Sequence, residues 1–193
     1  VPDVREVSVD IDPTASTFDI DGRRHDGKGA IIILEGLDGT GKSTLAARLY
    51  QMLPAPVALL HAGPPVVTTP MREYVWPLGI GASGYVVICD RWHLGERVWP
   101  GIFGRESLIP DVAMLKHIEE NIGYLSTPVL PVYMNRPLDD IRTELEQRGH
   151  ETEYLNDANW AYAQAMSDSS MDWHNSDLDH GVAMIGAWLN GLH

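Results

Sequence analysis

Short apolar runs alternate with longer stretches of helical period along this chain. Five runs read as strands: Ala30–Leu34, Val57–His61, Tyr85–Cys89, Val129–Met134 and a short one near Met171–His174. Between them the spacing predicts helices. Ser43–Leu53 places Leu45, Leu49, Met52 and Leu53 at i, i+4, i+7 and i+8, and Pro54 and Pro56 end it. Thr69-Pro70 pairs a capping residue with a proline at the first helical position, so a short helix is expected to run toward Trp76. Gly79, Gly81 and Gly84 then read as a loop. Asp111–Leu125 carries Leu115, Ile118, Ile122 and Leu125 on one stripe. Further helices are expected over Leu138–Gln147, Asp157–Met166 and Gly181–Leu189. Pro131 sits awkwardly in its strand, because it removes a ladder donor. Strands separated by helices predict a three-layer α/β (αβα) fold around a five-stranded parallel sheet covered on both faces.

Residues 1–29 read differently. Val7, Val9 and Ile11, then Phe18 and Ile20, alternate with polar positions around the turn Asp12-Pro13-Thr14-Ala15-Ser16. A β-hairpin or arm over 1–29 is expected, packed on the main domain of residues 30–193.

The first strand runs directly into chemistry. Gly36, Gly41, Lys42 and Ser43 have the spacing GxxxxGK[ST], between an apolar strand and a helix. Glycines at 36, 39 and 41 let successive N–H groups converge on a phosphate, and the helix points its positive end at the same anion. Thr40 and Thr44 complete the loop. Lys42 supplies a point charge for the β- and γ-phosphates, and Ser43 an oxygen for magnesium. The third strand delivers Asp90, the position of a carboxylate near magnesium or its water shell. Its successor is Arg91, where many hydrolytic ATPases carry Glu. Arginine cannot act as a base but can clamp a phosphate through two bonds. That favours transfer over hydrolysis. No Asn-Lys-x-Asp segment for guanine is present, since neither Lys28 nor Lys116 sits in one.

Composition narrows the partners. The formal net charge is −13, with three lysines, Lys28, Lys42 and Lys116. An acidic surface repels phosphate backbones, so a nucleic-acid partner is not expected. A small phosphorylated substrate needs only a local cationic pocket. No apolar run approaches the roughly 18 residues of a membrane span, and no basic-then-apolar signal is read, so a cytoplasmic location is expected. Cys89, the one cysteine, reads as a buried core thiol.

GLDGTGKST, followed by a strand ending in Asp-Arg-aromatic, resembles thymidylate kinases and their nucleoside- and nucleotide-kinase relatives among the P-loop kinases. The segment DRWHLGERVWPGIFGR is similar to thymidylate-kinase-like proteins of bacteriophages. The resemblance implies ATP and Mg2+ as cofactors and a deoxynucleoside monophosphate as acceptor, dTMP or a 5-substituted dUMP. It implies that Gly36 to Thr44 hold the donor phosphates and that Lys42 and Arg91 neutralise the transferring group. Asp38 resembles the acid that contacts the acceptor's sugar hydroxyl, while Ser43 and Asp90 serve magnesium. A lid near 142–154 is implied, with Arg142 on the donor and Arg148 closing over the phosphates. Glu96, Arg97 and Arg105 are placed on the acceptor side, with His61 and His93 as candidate acceptor contacts. A homodimer and a host cytoplasm are implied in the same way. The family's arginine signature after the second strand and its Ser/Ala-Tyr-Gln pattern after Asp-Arg are missing, so the acceptor's base is left open. Three alternatives stay open as well. One is a nucleoside kinase using Glu35 or Glu96 as base toward a 5′-hydroxyl. Another is a kinase of modified bases in phage DNA. The third is a nucleotide-binding ATPase or switch.

Overall fold

The computed structural model describes residues 29–53, 56–61, 63, 70–123 and 127–192, with the side chains of 70–73 left aside. The hairpin expected over 1–29 lies, but for Gly29, outside the described residues. Five strands, β1 (Ala30–Glu35), β2 (Val57–His61), β3 (Val86–Asp90), β4 (Val129–Met134) and β5 (His174–Ser176), form one sheet in the order β2-β3-β1-β4-β5. All four pairings are parallel. The central strand explains its own composition. Ile31 and Ile33 point into one core, with α2 (Pro70–Ala82), α3 (Gly95–Phe103), α4 (Val112–Gly123), α5 (Leu138–Gln147) and α6 (Leu155–Asp168) contributing to it. Ile32 and Leu34 point into a second core closed by α1 (Lys42–Met52) and α7 (Leu178–Asn190). A strand buried on both faces has no polar side to alternate with.

Several boundaries differ from the expected ones for physical reasons. Helix α2 continues through Gly79 and Gly81, where a loop was expected. A Cβ on Gly81 would lie 3.0 Å from Ile31 Cγ1 and 3.1 Å from Thr127 Cγ2, so this glycine serves a close helix-on-sheet approach. Gly29 donates its N–H to the Gly81 carbonyl at 3.1 Å, tying the same crossing together. Pro131 lies inside β4 as expected, paired with Ile33. The pairing with β5 begins only at Val132, so the proline precedes that second ladder. Strand β5 starts three residues later than expected, because Met171 and Trp173 pack onto the first core instead. Helix α3 was not expected: Gly95, Pro100 and Gly101 mask its period. Cys89 lies in β3, 1% exposed, and burial pushes its thiol well above the usual range.

Candidate functional site

The glycine-rich loop Gly36–Thr44 sits where β1 ends. Gly36 has φ 138°, and a Cβ there would lie 2.5 Å from the Met134 carbonyl oxygen of β4. Only glycine lets the loop leave the sheet at this point. Gly41 (φ 90°) caps α1 without a side chain, leaving the first N–H groups of the helix facing the cleft. Lys42 is buried. Its ammonium donates to the carbonyls of Gly36 (2.9 Å) and Leu37 (2.6 Å), with Thr40 Oγ1 at 3.4 Å. Burial lowers its pKa to about 8, against the opposing pull of Asp90 and Glu35.

Asp90 closes β3 beside the loop, 3% exposed. Ser43 Oγ donates to its Oδ2 at 2.6 Å, and His61 Nδ1 lies 3.0 Å from the same oxygen. Burial pushes the Asp90 carboxyl up, but the bonds from His61 and Ser43 and the Lys42 charge hold it below the usual range. Its other oxygen, Oδ1, is buried without a hydrogen-bond partner. An unpartnered carboxylate oxygen next to a serine hydroxyl at a phosphate loop suits a hard divalent cation. Among the described residues, no group of three or more His, Cys, Asp or Glu could hold a metal alone.

Arg91 carries the one positive φ of any non-glycine described residue, 68°. Its N–H donates to the Leu34 carbonyl at 2.9 Å, so the backbone turns sharply beside β1. Left-handed backbone is costly for arginine and persists where its surroundings over-determine it. Here the turn is held by Glu35. That carboxylate is fully buried and accepts from the N–H groups of Trp92 (2.9 Å) and Gly95 (3.0 Å) and from the Tyr162 hydroxyl (3.2 Å). Glu35 therefore caps α3 from the strand that feeds the loop. The Arg91 guanidinium ion-pairs with Asp38 of the loop and lies 5.4 Å over the Trp99 ring. Trp99 in turn stacks on Phe103 and meets Tyr154 edge-on.

The opposite wall comes from the end of β4 and from α5. Arg136 donates to the Gly39 carbonyl at 3.1 Å and ion-pairs with Glu144. Arg148, at the C-terminal end of α5, ion-pairs with the same carboxylate. Asp38 through Thr44, Arg91, Arg136, Glu144 and Arg148 line one cleft of about 460 Å3. Gly149 follows with φ 76°, which turns the chain at the end of α5.

The structure thus brings together Asp38, Gly39, Thr40, Gly41, Lys42, Ser43, Thr44, Asp90, Arg91 and Arg148, with Gly36 at the base of the loop. It places other candidates apart. His93 is fully buried in the core, 3.2 Å from Glu119 through Nε2. Glu119 also accepts from Ser169 Oγ (2.5 Å) and from the Ser170 N–H (2.6 Å). Glu96 is buried and holds Arg105 through two bonds of 2.8 and 2.7 Å, and it accepts from the Leu108 N–H. Arg97 donates to the Ile109 carbonyl and lies 3.9 Å from Asp168. Arg142 pairs with Asp139 on its own helix, outside the cleft lining. His61, by contrast, stays at the site, with its Nδ1 3.0 Å from Asp90 Oδ2. Arg136 and Glu144 were not singled out from sequence. Their meeting with the loop depends on the β1–β4 pairing, and only an arginine two residues past a strand could have hinted at it.

Among solved structures the chain is similar to polyphosphate kinase 2 from Arthrobacter aurescens TC1, with TM-score 0.69 and 20% identity over 92% of this chain and 73% of that one. It is similar to YorR from Bacillus subtilis, solved in complex with phosphorylated GDP (TM-score 0.65, 22% identity, 84% of this chain and 95% of that one). It is also similar to thymidylate kinase from Candida albicans (TM-score 0.52, 15% identity, 85% and 92%). The likeness is one of fold, the α/β fold of P-loop kinases. No protein-family model matches the sequence, and no curated protein matches it. Among the described residues, no helix is long and apolar enough to cross a membrane.

Proposed function

We propose that the chain is an ATP- and magnesium-dependent phosphotransferase whose acceptor is a deoxynucleoside monophosphate, dTMP or a 5-substituted dUMP. The observation that carries this reading is Arg91. It follows Asp90 in a left-handed turn, reaches the loop at Asp38 and lies over Trp99. A guanidinium so held stands between the phosphate loop and an aromatic wall. That is the place for the phosphate of an acceptor with a planar base.

The disposition of carboxylates supports a phosphate acceptor over a hydroxyl. Transfer to a 5′-hydroxyl wants a nearby base. Glu35 is fully buried and occupied by two N–H groups and a phenol, and Glu96 is occupied by Arg105 and Leu108. An ionised phosphate oxygen needs no base. In the transfer, that oxygen bonds to the γ-phosphorus of the donor, the bond to the bridging oxygen breaks, and ADP departs.

The residues of the loop, with Asp90, Arg91 and Arg148, then each have a task. The loop N–H groups hold the donor phosphates, and Lys42 turns from the carbonyls of Gly36 and Leu37 toward them. Ser43 and Asp90 would hold magnesium, which when bound would neutralise charge on the phosphate oxygens. Arg91 aligns the acceptor, Asp38 meets its sugar, and Arg148 closes over the donor. Catalysis is alignment and charge neutralisation.

Similarity to a polyphosphate kinase raises a second phosphate source. A long polyanion needs an extended cationic track. Here the cleft cations are Lys42, Arg91, Arg136 and Arg148, and the three arginines already face Asp38 or Glu144, in a chain of net charge −13. A short triphosphate fits that supply better. The test offers the purified chain MgATP or inorganic polyphosphate as donor. Acceptors are thymidine, the deoxynucleoside monophosphates with 5-substituted forms, and duplex DNA, with products separated by anion exchange. Transfer from ATP to a monophosphate is expected. Transfer to thymidine alone, to DNA alone, or from polyphosphate alone would overturn the reading, as would ATP hydrolysis indifferent to acceptor.

A further inference from the structure

Glu144 has no role in the reading above, yet it lines the same cleft as the loop. Its two oxygens are taken separately, Oε2 by Arg136 and Oε1 by Arg148. The two arginines come from different places, one from the segment after β4 and one from the end of α5. Both line the same cleft as Lys42 and Ser43. Arg136 also touches the phosphate loop itself, at the Gly39 carbonyl. We propose that Glu144 is a carboxylate latch that occupies Arg136 and Arg148 until the phosphates of a nucleoside triphosphate displace it.

The chemistry of the contact favours exchange. A carboxylate offers two oxygens, and the arginines have claimed one each. A triphosphate offers more oxygens and more charge to the same forks. Neither pair is sealed from water, with side-chain exposures of 37% for Arg136, 62% for Arg148 and 28% for Glu144. Ion pairs at such exposure are weakly held. Phosphate entry therefore separates the arginines from Glu144 and leaves that carboxylate beside the incoming anion. The latch makes the donor bind less tightly than the arginines alone would allow. It also gives the two arginines a satisfied resting place when the donor has left.

This inference rests on the reading of the cleft as a triphosphate site, and the test separates the two. Binding of MgATP to the intact chain is measured by calorimetry for wild type, Glu144→Gln and Glu146→Gln. Glutamine keeps the shape of Glu144 but removes the charge that holds the arginines. Glu146 is two residues away and bonds to Thr152 rather than to either arginine, so its variant removes equal charge without opening the latch. Glu144→Gln is expected to bind MgATP about three- to tenfold tighter, the range two part-exposed ion pairs provide, with Glu146→Gln within about twofold of wild type. A merely structural salt bridge would weaken binding or leave it unchanged when broken. Melting curves without nucleotide establish that each variant folds. Unchanged or weaker binding by Glu144→Gln, or equal tightening by Glu146→Gln, would overturn the latch and leave the triphosphate site standing. A wild-type chain that binds no MgATP would overturn both.

Discussion

Replacing Lys42 with methionine is expected to make the empty protein more stable and at the same time inactive. Methionine matches the length of the lysine stem without its charge. In the folded chain Lys42 titrates at about 8, against 10.5 for a free lysine, because burial outweighs the attraction of Asp90 and Glu35. A drop of that size corresponds to roughly 3 kcal/mol of destabilisation at neutral pH. Part of this is given back when methionine abandons the carbonyls of Gly36 and Leu37, which lose about 1 kcal/mol each on average. The net gain is about 1 kcal/mol at pH 7, or a melting temperature higher by about 2–4 °C for a chain of this size. The pH dependence carries the sign. Between about 8 and 10.5 the unfolded chain holds a proton that the folded chain has lost, so wild-type stability rises with pH across that window. The advantage of Lys42→Met is therefore full below about pH 8, gone near about pH 9, and reversed by pH 10.5, where the charge cost has vanished and the lost bonds remain. Melting curves of both proteins from pH 6 to pH 10.5, without nucleotide, measure it. Phosphoryl transfer by the variant should fall at least about a hundredfold. A variant less stable than wild type at pH 7, or a difference that ignores pH, would refute the argument that Lys42 is held charged at a cost.

Three other outcomes follow from the same geometry. Arg91→Ala should lower kcat/KM for the acceptor at least about a hundredfold with the circular dichroism spectrum unchanged, since the side chain is only part-buried; activity near wild type would remove Arg91 from the mechanism. Gly36→Ala should yield little folded protein or a loop that binds no nucleotide, because its Cβ would sit 2.5 Å from the Met134 carbonyl at φ 138°; denaturant titration and nucleotide binding read both. Glu119→Ala should cost about 3–5 kcal/mol in urea unfolding by leaving His93 buried without its partner, far more than an exposed glutamate would.

How much of this was legible in the sequence depends on distance along the chain. The strand, loop and helix around Gly36–Thr44 are contiguous, so their order in sequence is their order in space. Asp90 and Arg91 were legible because an apolar run of strand length ends in them. Their meeting with the loop needs only the parallel fold that the alternation of strands and helices predicts. Side-chain direction was harder. His93, Glu96, Arg97 and Arg105 belong to a segment whose path is set by Glu35, far away in sequence, through the Trp92 and Gly95 N–H groups. Once that cap forms, His93 turns into the core and Glu96 toward Arg105. Arg136 and Glu144 depended on β4 lying against β1, a pairing that no local pattern encodes. The glycines misled in both directions. Gly79 and Gly81 suggested a loop inside α2, and Gly95 and Gly101 concealed α3.

Cys89 gives the molecule a built-in gauge of its own opening. The chain's single thiol sits at the heart of the sheet, one residue before Asp90, sealed from water and reluctant to ionise. A thiol-directed reagent therefore finds nothing to attack on the native surface. Every adduct it forms records a moment when β3 came loose from its neighbours. Labelling becomes a clock for rare excursions of the strand that carries Asp90, and for how firmly an occupied cleft holds that strand shut. A dye attached through a cysteine introduced elsewhere would report from that one position, with Cys89 silent beneath it.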